Sequence, residues 1–315
     1  MYARLAAVAA ASLGAVAALL SGPAAQAGPA ARPGPSAQAG LAARTGLAAR
    51  AGEAPARSER PLVIAHRGAS GGAPENTLAA VDLADRMGFD WVENDVQRTR
   101  DGELVVVHDE TLARTTDVEE RFPGRAPWRV GDFTAAEIAT LDAGGWFGPR
   151  WAGERVPTLR RYLHRVERNG QRLLLEIKRP ELHPGIERDT LRVLGEEGWL
   201  DRSHVARRLV VQSFGADSVR AVHRLRPDVI TGFLGMPPVA ELPSYAAFTD
   251  RINPAHTALT AAYVAEVHRL DGARGERLQV YTWTVNDAAG ARRADGFGVD
   301  GIITDRPDVV RDAVG

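Results

Sequence analysis

From Pro61 onward the chain is a succession of short apolar, β-branched runs separated by helical patterns, and this alternation restricts its possible folds more than any other feature. The runs are LVIA (62–65), WVENDV (91–96), RLLLEIK (172–178), RLVVQSF (208–214), VITGFL (229–234), DRINPAH (250–256), LQVYTWTV (278–285) and DGIITD (300–305). Strands that are apolar along their whole length are buried on both faces, as in a parallel sheet covered by helices. The helical patterns carry their own start and stop signals. Asn76-Thr77 precedes a pattern with Leu78, Val81 and Leu83 that Gly88 ends. Thr158-Leu159 opens LRRYLHRVERNG, closed by Gly170; Asp217 or Ser218 precedes VRAVHRLRP, and Asp287 precedes AAGARRADGFG.

One apolar run breaks the alternation. LVVVHD (104–109) follows the second strand after only QRTRDGE, and Asp101-Gly102 is a strong turn signal. So short a connection cannot hold a crossover helix, so this run is a hairpin-like excursion and not the next parallel strand. That leaves eight strands in residues 61–315, the size and strand count of an α/β, (β/α)8 barrel. An open doubly wound sheet is the alternative architecture, and DRINPAH is the least apolar of the eight runs.

The residues before Pro61 have a different texture. Arg4, the uncharged stretch Leu5 to Leu20 and Ala25-Gln26-Ala27 read as a signal peptide over residues 1–27, with export to the outside as the expected destination. The stretch is too short and alanine-rich for a membrane span, so no stable membrane insertion is expected once it is cleaved. Residues 28–60, almost all Ala, Gly, Pro, Arg, Ser and Gln, lack the apolar mass for a core and read as a disordered linker. The chain has no cysteine, so the folded part must hold by its core, aided at most by a metal. With 39 basic against 40 acidic residues there is no basic excess to suggest a nucleic-acid partner. Oligomeric state leaves no mark in the sequence.

The polar residues gather where the strands end. The first run ends in His66-Arg67, the second carries Glu93 and Asp95, the excursion ends in His108-Asp109, the third run ends in Glu176-Ile177-Lys178, and the seventh contains Trp283. In a barrel the C-terminal strand ends form one face, and active sites lie there. Glu93 and Asp95 are two residues apart, so both point to the same side of a strand. Either nearby arginines pair with them or a cation neutralises them; Glu176 would add a third oxygen ligand suited to one hard divalent ion, Mg²⁺ or Ca²⁺. Arg67 and Lys178 beside such an ion make a pocket fit for a phosphate, flanked by two histidines able to act as general acid and base. His164, His183, His204, His223 and His268 read as surface or packing residues, and His256 lies at a possible strand end.

HRGASGGAPENT, GFDWVENDVQRTRDGELVVVHDETLARTT, LDAGGWF, VPTL, LLLEIK, YTWTVN and DGIITDRP, in this order, resemble the glycerophosphodiester phosphodiesterase family from about Pro61 to near the C-terminus. The resemblance implies a TIM barrel with an insertion after the second strand, and metal-dependent hydrolysis of small-molecule glycerophosphodiesters to glycerol 3-phosphate and an alcohol. It implies His66 and His108 as the acid/base pair, Glu93, Asp95 and Glu176 as metal ligands, Arg67 and Lys178 on the phosphate, and Trp283 beside the glycerol or leaving group. Glu75 and Asn76 would support the first loop. It further implies attack by the glycerol 2-hydroxyl and a cyclic phosphate that water opens. A related activity on lysophospholipids or sphingomyelin is the alternative; the aromatic-rich segment 111–156 would either cover a small polar substrate or hold an acyl chain. A non-catalytic phosphate-binding protein on the same scaffold would have no use for both histidines.

Overall fold

The computed structural model describes residues 60–315; the signal peptide expected at 1–27, and all but the last residue of the expected linker, lie outside them. The strands are β1 (Leu62–Ala65), β2 (Trp91–Arg98), β3 (Leu104–Val106), β4 (Arg172–Ile177), β5 (Leu209–Ser213), β6 (Ile230–Leu234), β7 (Arg251–Asn253), β8 (Gln279–Thr282) and β9 (Gly301–Thr304). Every apolar run yields one of them, DRINPAH included, although only its first half forms a strand and Ala255 adds an isolated parallel bridge to Trp283. Neighbours pair in parallel from β1 through β2 and β4 to β9, and β1 pairs with both β2 and β9. The sheet is therefore a closed (β/α)8 barrel, not an open one. Its helices are α1 (Leu78–Arg86), α2 (Val118–Arg121), α3 (Ala135–Ile138), α4 (Leu159–Arg168), α5 (Ile186–Glu196), α6 (Arg202–Arg207), α7 (Ala216–Leu225), α8 (Leu242–Ala246), α9 (Ala261–Val267), α10 (Ala288–Phe297) and α11 (Pro307–Val314). No helix among the described residues is long and apolar enough to cross a membrane.

The capping residues act as their types dictate. Thr77, Thr158 and Asp287 each accept a backbone N–H from the first turn of α1, α4 and α10. The helix expected after Asp217 or Ser218 begins earlier: α7 starts at Ala216, behind Gly215, and both residues lie inside its first turn. The buried Ser218 hydroxyl finds no hydrogen-bond partner there, so it does not serve as a cap.

β3 is the excursion. It pairs antiparallel with the end of β2, Val96 opposite Val106 and Arg98 opposite Leu104. The turn is closed by Thr99, whose hydroxyl donates to Asp101 at 2.6 Å, and by Gly102 at φ +89°, a conformation that suits glycine. The chain from there to α4 folds on a small core of its own, with Leu112, Val118, Val130, Phe133, Ile138 and Leu141 packed on Val105 and Val107.

Side chains alternate in and out along the barrel strands. Outward residues such as Val92, Val96, Leu173, Leu175 and Val211 pack against Val81, Tyr162, Leu163 and Leu194 of the helical layer. Inward residues stack in layers contributed by alternate strands, following the register with this architecture's shear. Trp91, Val210, Arg251 and Gly301 form the lowest of these; Ile64, Leu174, Gly232 and Tyr281 lie above; then Glu93, Gln212, Asn253 and Ile303; then His66, Glu176, Leu234 and Trp283. Gly301 is required by the layering, since a Cβ there would stand 2.9 Å from the Tyr281 ring. The interior thus changes from apolar to polar toward the C-terminal ends of the strands.

Candidate active site

The two upper layers open into a cleft lined by His66, Glu93, Glu176, Gln212, Leu234, Trp283 and Ile303, together with Arg67, His108, Lys178, Phe214 and Thr284. Of the eight residues singled out from the sequence, seven line it. The eighth, Asp95, is fully buried just behind, with Lys178 Nζ 3.5 Å from its Oδ1 and Arg67 Nε 3.4 Å from its Oδ2.

Carboxylate oxygens of Glu93, Asp95 and Glu176 come within 4.8 Å of one another, and all three residues are buried. β2 sets Glu93 and Asp95 on one side, and the pairing of Asp95 with Glu176 across β2 and β4 adds the third. Glu93 Oε1 and Asp95 Oδ1 find no hydrogen-bond donor in the protein, although both are buried. Burial, then the negative charges of Asp95 and Glu176, push the Glu93 carboxyl well above its ordinary value. Burial and the Asp95 charge likewise push Glu176 up to about 8, against the opposing pull of Lys178 at 2.7 Å. Asp95 goes the other way: burial opposes its ionisation, but the Lys178 and Arg67 charges outweigh it and hold the carboxyl well below the usual range. Buried oxygens left without donors, in a cluster that resists ionising, are the donor set a divalent cation would satisfy. The arginine-pairing alternative is met only in part, since Arg67 and Lys178 leave those two oxygens unbonded.

The first loop is built around this cluster. His66 N–H still pairs with Thr304 O at 2.8 Å, but the strand proper ends at Ala65, and Arg67 sits in a turn at φ +56°. That left-handed backbone, costly for arginine, aims the Arg67 N–H at Glu93 Oε2, 2.9 Å away. Asn76, also left-handed at φ +59°, donates its amide to Asp95 Oδ2 at 2.8 Å. Glu75 accepts from Arg67 Nη1 at 2.8 Å. The glycines of this loop lie tight against neighbouring protein: a Cβ on Gly68 would stand 2.6 Å from the Ala80 backbone, and one on Gly71 would strike Arg306 and the Asp305 carbonyl.

Each cleft histidine meets a carboxylate through Nδ1, His66 with Asp305 at 2.6 Å and His108 with Asp109 at 2.7 Å. Burial lowers the His66 pKa, against the opposing hydrogen bond that the imidazole makes to Asp305. Arg114 bridges Asp109 to Glu75 with two hydrogen bonds to each. Gln97 Nε2 donates to the carbonyls of Val107, His108 and Asp109 at 3.0, 3.2 and 2.6 Å, which pins the His108 segment from behind. On the far wall Phe214, half exposed, meets Trp283 edge to face, and Lys178 Nζ lies 5.4 Å from its ring centre. Trp283 is held by its indole N–H on Asn253 O at 2.8 Å.

Sequence reasoning left Asp305, Asn286, Arg114, Gln97 and Phe214 without a role. Asp305 and Phe214 end two of the strand runs, the positional signal that identified the others. The remaining histidines line no part of the cleft, but three have acidic partners that the sequence did not suggest: His164 with Glu197, His204 with Asp201 and Glu167, and His268 with Asp300. Of the six aromatics of 111–156, three are likewise redirected, with Phe133 fully buried in that segment's own core and Phe122 and Trp128 packed on it, while Trp146 stays exposed.

The model of the glycerophosphoryl diester phosphodiesterase family matches residues 66–309. A glycerophosphodiester phosphodiesterase of Caldanaerobacter subterraneus subsp. tengcongensis is 36% identical, over 80% of this chain and 96% of that protein. One of Bacillus subtilis is 34% identical, over 80% and 85%. Among solved structures, an Oleispira antarctica phosphodiesterase in complex with the product sn-glycerol-3-phosphate superposes with a TM-score of 0.69 at 29% identity, covering 81% of this chain and 97% of that one.

Proposed function

This chain belongs to the glycerophosphoryl diester phosphodiesterase family and is a phosphoric diester hydrolase, and from that premise we propose that it cleaves glycerophosphodiesters to glycerol 3-phosphate and an alcohol with His66 and His108 as its proton-transfer pair. The observation that carries the reading is their placement. Both histidines line one cleft with Arg67, Lys178 and a buried three-carboxylate cluster that leaves two oxygens without donors.

Glu93, Asp95 and Glu176 would hold one divalent ion, Mg²⁺ or Ca²⁺, whose chemistry is to offset charge on a phosphoryl oxygen. Lys178 and Arg67, now paired with those carboxylates and Glu75, would bind the remaining phosphoryl oxygens. The substrate's 2-hydroxyl attacks phosphorus, the bond from phosphorus to the leaving alcohol breaks, one histidine takes the hydroxyl proton and the other protonates the departing oxygen. The cyclic phosphate is then opened by water with the two roles exchanged. Trp283 and Phe214 wall the side of the cleft where an organic substituent would lie. The lysophospholipid alternative loses part of its support, because three of that segment's six aromatics, Phe122, Trp128 and Phe133, serve the insertion's own core.

The test is purified protein with glycerophosphocholine, with and without chelator, reading glycerol 3-phosphate. Metal-dependent release is expected, abolished by His66→Ala and by His108→Ala in folded protein. Release that ignores the chelator, or near-wild-type turnover in either variant, would overturn the assignment.

A further inference from the structure

We propose that Asp305 is a positioning residue for His66, held in place by Asn286 and Ser70, so that the imidazole carries its proton on Nδ1 and presents Nε2 to the cleft. The inference rests on the reading that His66 exchanges a proton with substrate. A neutral imidazole has one N–H, and the partner of one nitrogen decides which nitrogen bears it. An ionised carboxylate only accepts hydrogen bonds, so Asp305 Oδ1, 2.6 Å from Nδ1, puts the proton there. The other nitrogen, Nε2, then faces the site, 4.0 Å from Glu93 Oε2.

Asp305 is itself fixed at several points. Asn286 donates Nδ2–H to its Oδ2 at 2.7 Å and accepts its backbone N–H on Oδ1 at 2.9 Å, a two-point pairing that sets the carboxylate's orientation. The Ser70 hydroxyl donates to Oδ1 at 3.0 Å, and Gly71 N–H donates to the Asp305 carbonyl at 2.8 Å. The segments following β8, β9 and β1 therefore meet on one side chain where the barrel closes.

The two histidine–aspartate pairs are built differently. Asp109 also receives two hydrogen bonds from the Arg114 guanidinium. Asp305's other side-chain donors, Ser70 and Asn286, are neutral, so His66 is the one charge-capable group that pairs with it among the described residues. Removing the Asp305 charge therefore acts on His66, whereas removing that of Asp109 also releases the bridge from Arg114 to Glu75.

The near-isosteric Asp305→Asn and the supporting Asn286→Ala are the variants, read by turnover and by nitrogen NMR of the His66 imidazole in metal-free protein. Wild-type His66 is expected as the Nδ1–H tautomer. Asp305→Asn should shift it toward Nε2–H and lower kcat by about 10²–10⁴, the contribution of a correctly positioned acid or base, with KM within about threefold. Asn286→Ala should lower kcat by roughly tenfold, since the carboxylate keeps its charge but loses its orientation. An Nε2–H wild-type tautomer, or kcat within about threefold of wild type in Asp305→Asn, would overturn the proposal. If Asp305→Asn fails to fold, an unchanged tautomer and kcat in Asn286→Ala would overturn it. Absence of glycerophosphodiester cleavage by the wild type would instead count against the proposed function, and the tautomer would still decide the role of Asp305.

Discussion

Replacing Asn94 by leucine should make this protein more stable without changing its chemistry. Asn94 lies between Glu93 and Asp95 on β2, fully buried, and neither its Oδ1 nor its Nδ2 finds a hydrogen-bond partner in the protein. Strand alternation turns it outward, to the face where Val92 and Val96 pack into the apolar layer under the helices, with Leu175 beside it on β4. A buried polar group without a partner costs about 1–3 kcal/mol, and an apolar group of the same shape removes that cost. Leucine has the same branched outline as asparagine. The expected gain is about 2 kcal/mol, or roughly 4–8 °C in Tm for a domain of this size. Urea and thermal denaturation with chelator present would measure it. Metal affinity by calorimetry, and turnover, should stay within about twofold of wild type, because the substituted side chain points away from the carboxylates. A Tm at or below wild type would refute the claim of an unsatisfied amide, and a marked fall in metal affinity would refute the outward placement.

Four further outcomes can be checked directly. Because Glu176 is held at about 8 in the cation-free protein, binding a cation must displace a proton, and affinity should rise at least about tenfold from pH 6.5 to 9; a flat calorimetric profile would contradict this. The same raised value means that the folded state holds a proton the unfolded chain has lost, so cation-free stability should fall as pH rises from the ordinary carboxyl range toward 8, which denaturation across that range would show. Glu93→Gln removes a ligand oxygen at a carboxyl that burial and its acidic neighbours hold back from ionising, so metal affinity should drop by at least about tenfold while the cation-free protein melts no lower; equal affinity in titration calorimetry would exclude Glu93 as a ligand. Gln97→Leu strips the side-chain donor from three carbonyls and should cost about 2–3 kcal/mol and lower kcat by loosening His108; unchanged values of both would show that the hub is dispensable.

The sequence by itself determined a parallel sheet under helices with one antiparallel excursion, but left its closure into a barrel to the pairing of β1 with both β2 and β9. Its eight apolar runs, each short and followed by a helical pattern, have no way to bury both faces except as a parallel sheet under helices, and the seven-residue step from the second run to LVVVHD forces the antiparallel excursion. It also determined which side of β2 carries two carboxylates, because alternation is a local property of extended backbone. The site's partners were beyond it. His66 and Asp305 are 239 positions apart and touch only because β9 closes the barrel against β1. Arg114 reaches Glu75, 39 positions away, only once the insertion has folded back over the first loop. The glycines of HRGASGG serve tight packing against α1 and the end of β9, and three of the six aromatics of 111–156 a separate small core. Periodicity and capping are set by neighbours along the chain and can be read there; the partner of a polar side chain is set by which strand ends the closed barrel brings together, and only the tertiary structure decides that.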